Sequence, residues 1–405
     1  MRFVILYTLF FVASLLYNGF HFLGGLTLRN VMTIVMFVAC VIEDRRVLLD
    51  KWLGIYSVFL LFFGLSSMLT GFFSLFVWRL IGYFFVGYVG YWSTKILLKK
   101  YDAVRLLVSL FLIIGLVDEI VTIGQFYNLP YFTIIPQYLG IGVDVEFLED
   151  IAVGEAAMGH ALPGIMGTDV YNGYFLMVVG ILSFYFLRSG FKIISLIPWV
   201  LAVVSSFMVQ QRAPFYVLLI LSVFVLFKVV LLGKSRLKWM LVIIFLTFIP
   251  IGVQYLLDFL LGGGTRFNIG VDSTGRDEIY QKSVDYINNN VMWGGFFNSG
   301  IAPHNMILNA WLSGGFLGFV AIVILTIMQL VEVLKLSLRK LENNYFVYLL
   351  FGLAFVGFTV NSMFHNAGMT SGDFVIWTLW GAFLGYKNVS DKQLTVQDDN
   401  YQILV

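Results

Sequence analysis

The sequence predicts an all-α, polytopic integral membrane protein with about twelve transmembrane helices and a large polar loop late in the chain. Three observations predict it. Of the 405 residues, 60% are hydrophobic and 12% are charged, well below the roughly 25% charged of soluble domains. The apolar residues fall in repeated runs of about 18 or more, the length a helix needs to cross the hydrocarbon core. These runs also lack the every-second-residue alternation of barrel strands. In lipid the backbone must satisfy its own hydrogen bonds, which leaves helices.

The spans lie at about 3–20, 24–42, 52–70, 77–97, 105–127, 171–187, 193–210, 213–231, 239–260, 305–333, 345–363 and 373–387. The first imitates a signal peptide, but the many spans after it make it an uncleaved helix. Two connections are long, at about 128–170 and about 261–304. No internal repeat is evident, which weighs against inverted-repeat transporters. The chain 1–405 reads as a single transmembrane domain. Cys40 is the only cysteine, so neither an intrachain disulfide nor a thiol metal cluster is available. A net charge of +2 is too small to imply nucleic acid.

Charge sets the orientation. With the N-terminus in the cytoplasm, nineteen of the 25 Lys and Arg lie on the inner side, as the positive-inside rule requires. Both termini are then cytoplasmic, and both long connections are external. The outer side keeps Arg29, Arg79, Arg212, Arg266, Arg276 and Lys282. His21, His160, His304 and His365 also fall at outer positions. Outer Arg runs against topology. One reading is recognition of a lipid phosphate or diphosphate, onto which a guanidinium forks bidentately. The other is snorkelling to the interface or pairing with a carboxylate.

The late loop carries the densest polar constellation. Thr274 and Asp277 have capping-box-like spacing, and Ile279, Tyr280, Val284 and Ile287 follow on one apolar face. This predicts a short amphipathic helix on the outer surface, with Arg276 in its first turn, where free amides favour an anion. Pro303-His304-Asn305 predicts the start of the next span, with Pro at the first helical position and His304 in the first turn. There the helix dipole disfavours imidazolium, and a neutral imidazole suits a general base. The apolar pattern then runs for about thirty residues, more than the ~30 Å core needs at ~1.5 Å per residue, so the helix tilts or projects outward. Asn305 and Asn309 share a face, as do Asn361 and His365.

Elsewhere, Arg212 sits in a very short outer turn ahead of Pro214, pinned at headgroup depth. Asp118, Glu119 and Asp258 lie near the outer ends of spans and are candidate partners for the outer arginines. The first long loop carries Asp144, Glu146, Glu149, Asp150, Glu155 and Asp169 without Lys or Arg. Asp144-Val145-Glu146 is similar to the acidic metal motif of some glycosyltransferases, but a solvated acidic loop explains it better.

The order of these pieces resembles the O-antigen polymerase and ligase superfamily of bacterial envelope glycosyltransferases. In that family a short outer turn with an Arg, here Ser205–Pro214, precedes a large periplasmic loop by two spans. The loop holds a Gly-Arg helix start, here Gly275-Arg276, then a Gly-rich bend, here Trp293-Gly294-Gly295. A His-Asn pair then opens a long span with small residues, here His304-Asn305 through Gly314-Gly315-Phe316-Leu317-Gly318. Leu162–Gly173 is similar to the family's polar stretch ahead of the middle spans. Tyr280 stands where the family often has Trp. The resemblance covers about residues 160–335.

What the resemblance implies is metal- and cofactor-independent transfer of glycan from undecaprenyl diphosphate to a sugar hydroxyl, at the periplasmic face of the bacterial inner membrane. Arg212, Arg276, Arg266 and Arg79 would hold the diphosphate, and His304 would take the acceptor's proton. Asn305, Tyr280, Asn361 and His365 would be supporting polar groups. The implied partners are lipid-linked oligosaccharides, membrane lipid and a chain-length regulator protein. A polymerase adds the chain to another lipid-linked repeat unit, and the acidic first loop favours that over a ligase acting on lipid A core. A lipid-linked oligosaccharide flippase is the alternative from another class, opposed by the gathering of polar residues at one face. The topology is testable on a Cys40→Ser background. A cysteine at Asn289 is expected to react with an impermeant maleimide only from outside, and labelling only from the cytoplasm would overturn the assignment.

Overall fold

The computed structural model describes residues 1–16, 27–44, 50–127, 129–132, 162–189, 196–209, 211–232, 276–338, 343–365 and 368–387. Among these residues the structure is helical, without a β-strand. In order the helices are α1 (Arg2–Leu16), α2 (Leu28–Glu43), α3 (Lys51–Leu69), α4 (Phe73–Tyr101), α5 (Val104–Phe126) and α6 (Asp169–Ser183). They continue as α7 (Ile197–Met208), α8 (Arg212–Leu232), α9 (Arg276–Asn289), α10 (Phe296–Ser299), α11 (Met306–Leu338), α12 (Asn343–Ser362) and α13 (374–387). Within the described residues α3, α4, α5, α11 and Tyr345–Ser362 of α12 are long and apolar enough to cross a membrane. The expected span at 239–260 lies outside the described residues, as does the acidic stretch 133–161.

Side-chain caps start several of these helices. The Thr27 hydroxyl accepts from the Asn30 amide, the Asp50 carboxylate from the Trp52 amide, and the Thr168 hydroxyl from the Tyr171 amide. Asp373 Oδ1 accepts from the amides of Val375 and Ile376 ahead of α13. Each cap satisfies amides that have no partner inside the helix, which matters most where water is scarce.

The chain divides into two compact units, Met1–Leu107 with Ser273–Val405, and Val108–Asp272. In the first, α11 packs along α3, and α2 and α1 pack on α4. Helix α13 lies close against α4. A Cβ on Gly87 would sit 2.6 Å from Trp377, and one on Gly381 would collide with the Tyr91 carbonyl oxygen. Small residues at such crossings let helices approach where lipid removes the hydrophobic drive for association. A ring cluster of Tyr56, Phe59, Phe63, Phe84 and Trp377 fills the centre. In the second unit, α6 packs on α7 and α8, with Gly180 against Leu218 and Ala202.

Three lysines of the first unit are tied to its carboxylates. Lys100 pairs with Glu43 at 3.4 Å, Lys387 with Glu332 at 3.2 Å, and Lys95 with Asp50. Burial alone would raise the Asp50 carboxyl, but hydrogen bonds from Lys95, Tyr91 and the Trp52 amide outweigh it and hold the group below the ordinary aspartate range. A depressed carboxyl contributes stability above its unfolded value, and loses it as pH falls through the folded value. Asp50→Asn keeps a good helix cap and removes the charge. The variant is expected to melt below the wild type near neutral pH, with the gap closing as pH falls below about 5 and on through the depressed folded value. A gap independent of pH in thermal unfolding would reject this role.

Candidate functional site

The long helix α11 is broken near its head, at Gly315, whose φ of 60° and ψ of −162° are not helical. The expectation of a continuous tilted helix is corrected here. A break in an apolar setting frees backbone groups, and each left unpaired costs about 1–3 kcal/mol. The turn 290–295 takes them up. The Gly295 amide donates to the Leu312 carbonyl at 2.7 Å, and the Phe316 amide donates to the Val291 carbonyl at 2.9 Å. Trp311 Nε1 adds a bond to the same Val291 carbonyl at 3.1 Å. The fit needs glycine, because a Cβ on Gly315 would collide with the Met292 carbonyl oxygen. The two glycine-rich stretches read separately in the sequence, 293–295 and 314–318, are thus one junction.

At the head of α11 the cap is Asn305. Its Oδ1 accepts from the amides of Ile307 at 2.9 Å and Leu308 at 3.0 Å. Its Nδ2 donates to the Met363 carbonyl, beyond the end of α12, at 2.9 Å. His304 therefore precedes the helix instead of occupying its first turn, and Pro303 is not the first helical residue. Asn is a stronger cap than Pro is a first-turn marker, and it takes the amides on which the dipole argument rested. His304 is held instead by its backbone. Its φ of 47° is left-handed, uncommon for a residue with a Cβ, and such conformations gather at functional sites.

His365 meets it there. The two imidazole rings stand edge to face, with centroids 5.9 Å apart and an interplanar angle of 90°. Helix α12 ends at Ser362, so His365 lies past the helix and does not share a helical face with Asn361. The Phe364 amide closes the turn onto the Asn361 carbonyl at 2.9 Å. Asn361 and His365 are both buried, and His304 and Asn305 are half-buried. One turn into α11, Asn309 donates to Thr370 Oγ1 at 3.2 Å and accepts from Ser313 at 3.3 Å. The site thus joins the head of α11 to the end of α12.

Helix α9 starts at Arg276 as expected and packs against α11. Its inward face carries buried Ser283 and Ile287 with half-buried Ile279 and Tyr280, whereas Val284 is exposed. The Arg276 side chain, the Thr274 cap position and Arg266 lie outside the described residues. Arg79 is half-buried on α4, its guanidinium 4.5 Å from the Phe296 ring and 5.7 Å from the Phe297 ring of α10. That aromatic shelf was missed in the sequence, although Phe296-Phe297 directly follows the glycine bend.

In the second unit, half-buried Arg212 opens α8. Asp118 and Glu119 are buried on α5, and neither is ion-paired with an Arg or Lys among the described residues. Asp118 Oδ1 instead accepts from the Ile165 amide at 2.8 Å. Asn172 donates to Thr122 at 3.0 Å and to the Leu162 carbonyl at 2.9 Å, and Gln125 donates to the Gly164 carbonyl at 3.2 Å. This network fastens the polar stretch ahead of α6. Asp258, Asp144 and Glu146 lie outside the described residues. No group of three or more metal-ligating His, Cys, Asp or Glu occurs among the described residues.

Comparison with protein-family models, with curated proteins and with solved structures finds no match.

The junction at Gly315 yields a direct test. Gly315→Ala combines a collision with a backbone conformation that is nearly restricted to glycine, and is expected to cost on the order of 3 kcal/mol. Gly300, also at positive φ but with open space around it, is the control, where alanine meets backbone strain alone. Equal unfolding midpoints for the two variants in detergent would show that the junction is not tightly held.

Proposed function

We propose that this protein is a glycosyltransferase of the bacterial inner membrane. In this reading it polymerises lipid-linked oligosaccharide repeat units at the periplasmic face. The observation that carries the reading is His304, held in a left-handed conformation at the capped head of a membrane helix and set against His365. A base fixed by backbone and by a neighbouring ring is preorganised for one proton transfer.

The reaction is a displacement at the anomeric carbon of the donor sugar. The acceptor hydroxyl oxygen forms the new bond to that carbon, and the bond from carbon to diphosphate oxygen breaks. The acceptor's proton goes to His304. The departing undecaprenyl diphosphate carries the negative charge, which Arg212 and Arg276 stabilise through paired N–H donors. Arg266 lies in the same loop and supports them. The guanidinium groups supply the positive charge that a metal ion supplies elsewhere, so the reaction proceeds in chelator. His365 and Asn305 position the base, and Asn361 and Tyr280 are polar groups beside the acceptor path. A chain-length regulator is the protein partner of this reading.

His304→Ala is expected to lower transfer by about 10²- to 10⁴-fold. In cells the glycan ladder disappears and single lipid-linked repeat units accumulate, at unchanged protein level. Arg212→Lys and Arg276→Lys are expected to behave alike, because a point charge does not replace the fork. A normal ladder from well-expressed His304→Ala would remove the base from the mechanism. Activity lost in chelator and restored by Mg²⁺ would replace the arginines with a metal.

A further inference from the structure

We propose that Arg79, Arg29 and Tyr83 bind the phosphate of an anionic phospholipid at the Phe73 end of α4. This stands apart from the transfer reading, whose donor rests on Arg212 and Arg276, and it assigns Arg79 to the bilayer.

The local chain geometry makes the site. Helix α4 widens into a π-turn over Leu80–Phe84, with Arg79 immediately before it and Tyr83 within it. Such turns interrupt the regular hydrogen-bond ladder and gather at functional sites. Arg29, buried in the first turn of α2, donates from Nη2 to the Gly82 carbonyl of that turn at 2.7 Å. Its guanidinium carbon also lies 4.9 Å from the centroid of the Tyr83 ring. Two guanidinium groups therefore flank one turn of one helix.

Their partners differ from those of the lysines at the opposite end. Arg79 has aromatic faces beside it, but neither a carboxylate nor a hydrogen-bond acceptor among the described residues. An aromatic face stabilises the cation without satisfying the N–H groups around its edge. Those donors fit a phosphate, the acceptor a guanidinium binds bidentately. Exposed Tyr83 offers a hydroxyl at the same level.

The surroundings select a lipid over a soluble anion. Trp78 and Tyr83 are exposed beside Arg79, the amphipathic aromatic pairing of a membrane interface. On α4 the exposed side chain of Ile81 continues this surface two residues past Arg79. An acyl chain lying against Trp78, Ile81 and Tyr83 keeps its phosphate beside Arg79. Inorganic phosphate gains nothing from that surface.

The test uses the purified full-length protein in neutral detergent, with retained lipid measured by native mass spectrometry and stability by thermal unfolding. Phosphatidylglycerol is expected to be retained and to raise the midpoint, and phosphatidylcholine to do neither. Arg79→Gln leaves the Arg29 bond to Gly82 intact, so α2 stays fastened to α4. It is expected to weaken phosphatidylglycerol retention by about tenfold or more, the effect of losing a charge-assisted hydrogen bond. Arg79→Lys is expected to fall between. Equal retention of the two lipids, or unchanged phosphatidylglycerol retention by Arg79→Gln, would overturn the proposal. Displacement of the bound lipid by a polyprenyl diphosphate, but not by phosphatidylcholine, would give the site to the glycan carrier and overturn the assignment to bilayer lipid. All these readouts are independent of polymer formation.

Discussion

The backbone of α11 cannot be left open at Gly315, and most of the first unit's functional end follows from closing it. In an apolar environment an unpaired amide or carbonyl has no water to turn to. The Leu312 carbonyl and the Phe316 amide are therefore closed by the turn 290–295, which the two bonds in turn hold in place. That turn lies between α9 and α10. Fixing it sets the end of the amphipathic helix on one side and the Phe296–Phe297 shelf under Arg79 on the other. A loop that would otherwise hang from the membrane thus becomes a rigid support, the kind of scaffold on which a site is positioned.

The second fixed point is Asn305, which does two things with one side chain. Its carbonyl oxygen satisfies the head of α11, and its amide reaches the chain just past α12. Neither Asp nor Ser would do both, since each lacks the amide donor geometry. With α11 and α12 joined there, the residues on either side of the joint, His304 and His365, are brought face to edge. The left-handed backbone at His304 is the strain this arrangement retains, and the bonds around it hold it in place.

What the sequence made legible was the material governed by local composition. Apolar length alone marked the described helices to within a few residues, because a span must be long and uncharged whatever it packs against. The start of α9 at Arg276 was legible for a similar reason, since its polar first turn and apolar face are local patterns. The break at Gly315 was not. Glycines inside an apolar run read equally well as a close-packing surface, and the choice was made by the turn 290–295, some twenty residues away. The head of α11 was misread where two local signals competed, Pro303 against Asn305, and the side-chain hydrogen bonds decided it. His365 was placed on a helical face because its spacing from Asn361 is helical, yet α12 ends before it.

The distribution of cation partners extends the asymmetry visible in the sequence. Lys95, Lys100 and Lys387 each reach a carboxylate. Arg79 rests on the rings of Phe296 and Phe297, which hold a guanidinium without cancelling its charge. A planar guanidinium can stack on a ring and still present its edge to an acceptor. A guanidinium held only by rings keeps N–H donors for an anion, which an ion-paired lysine does not.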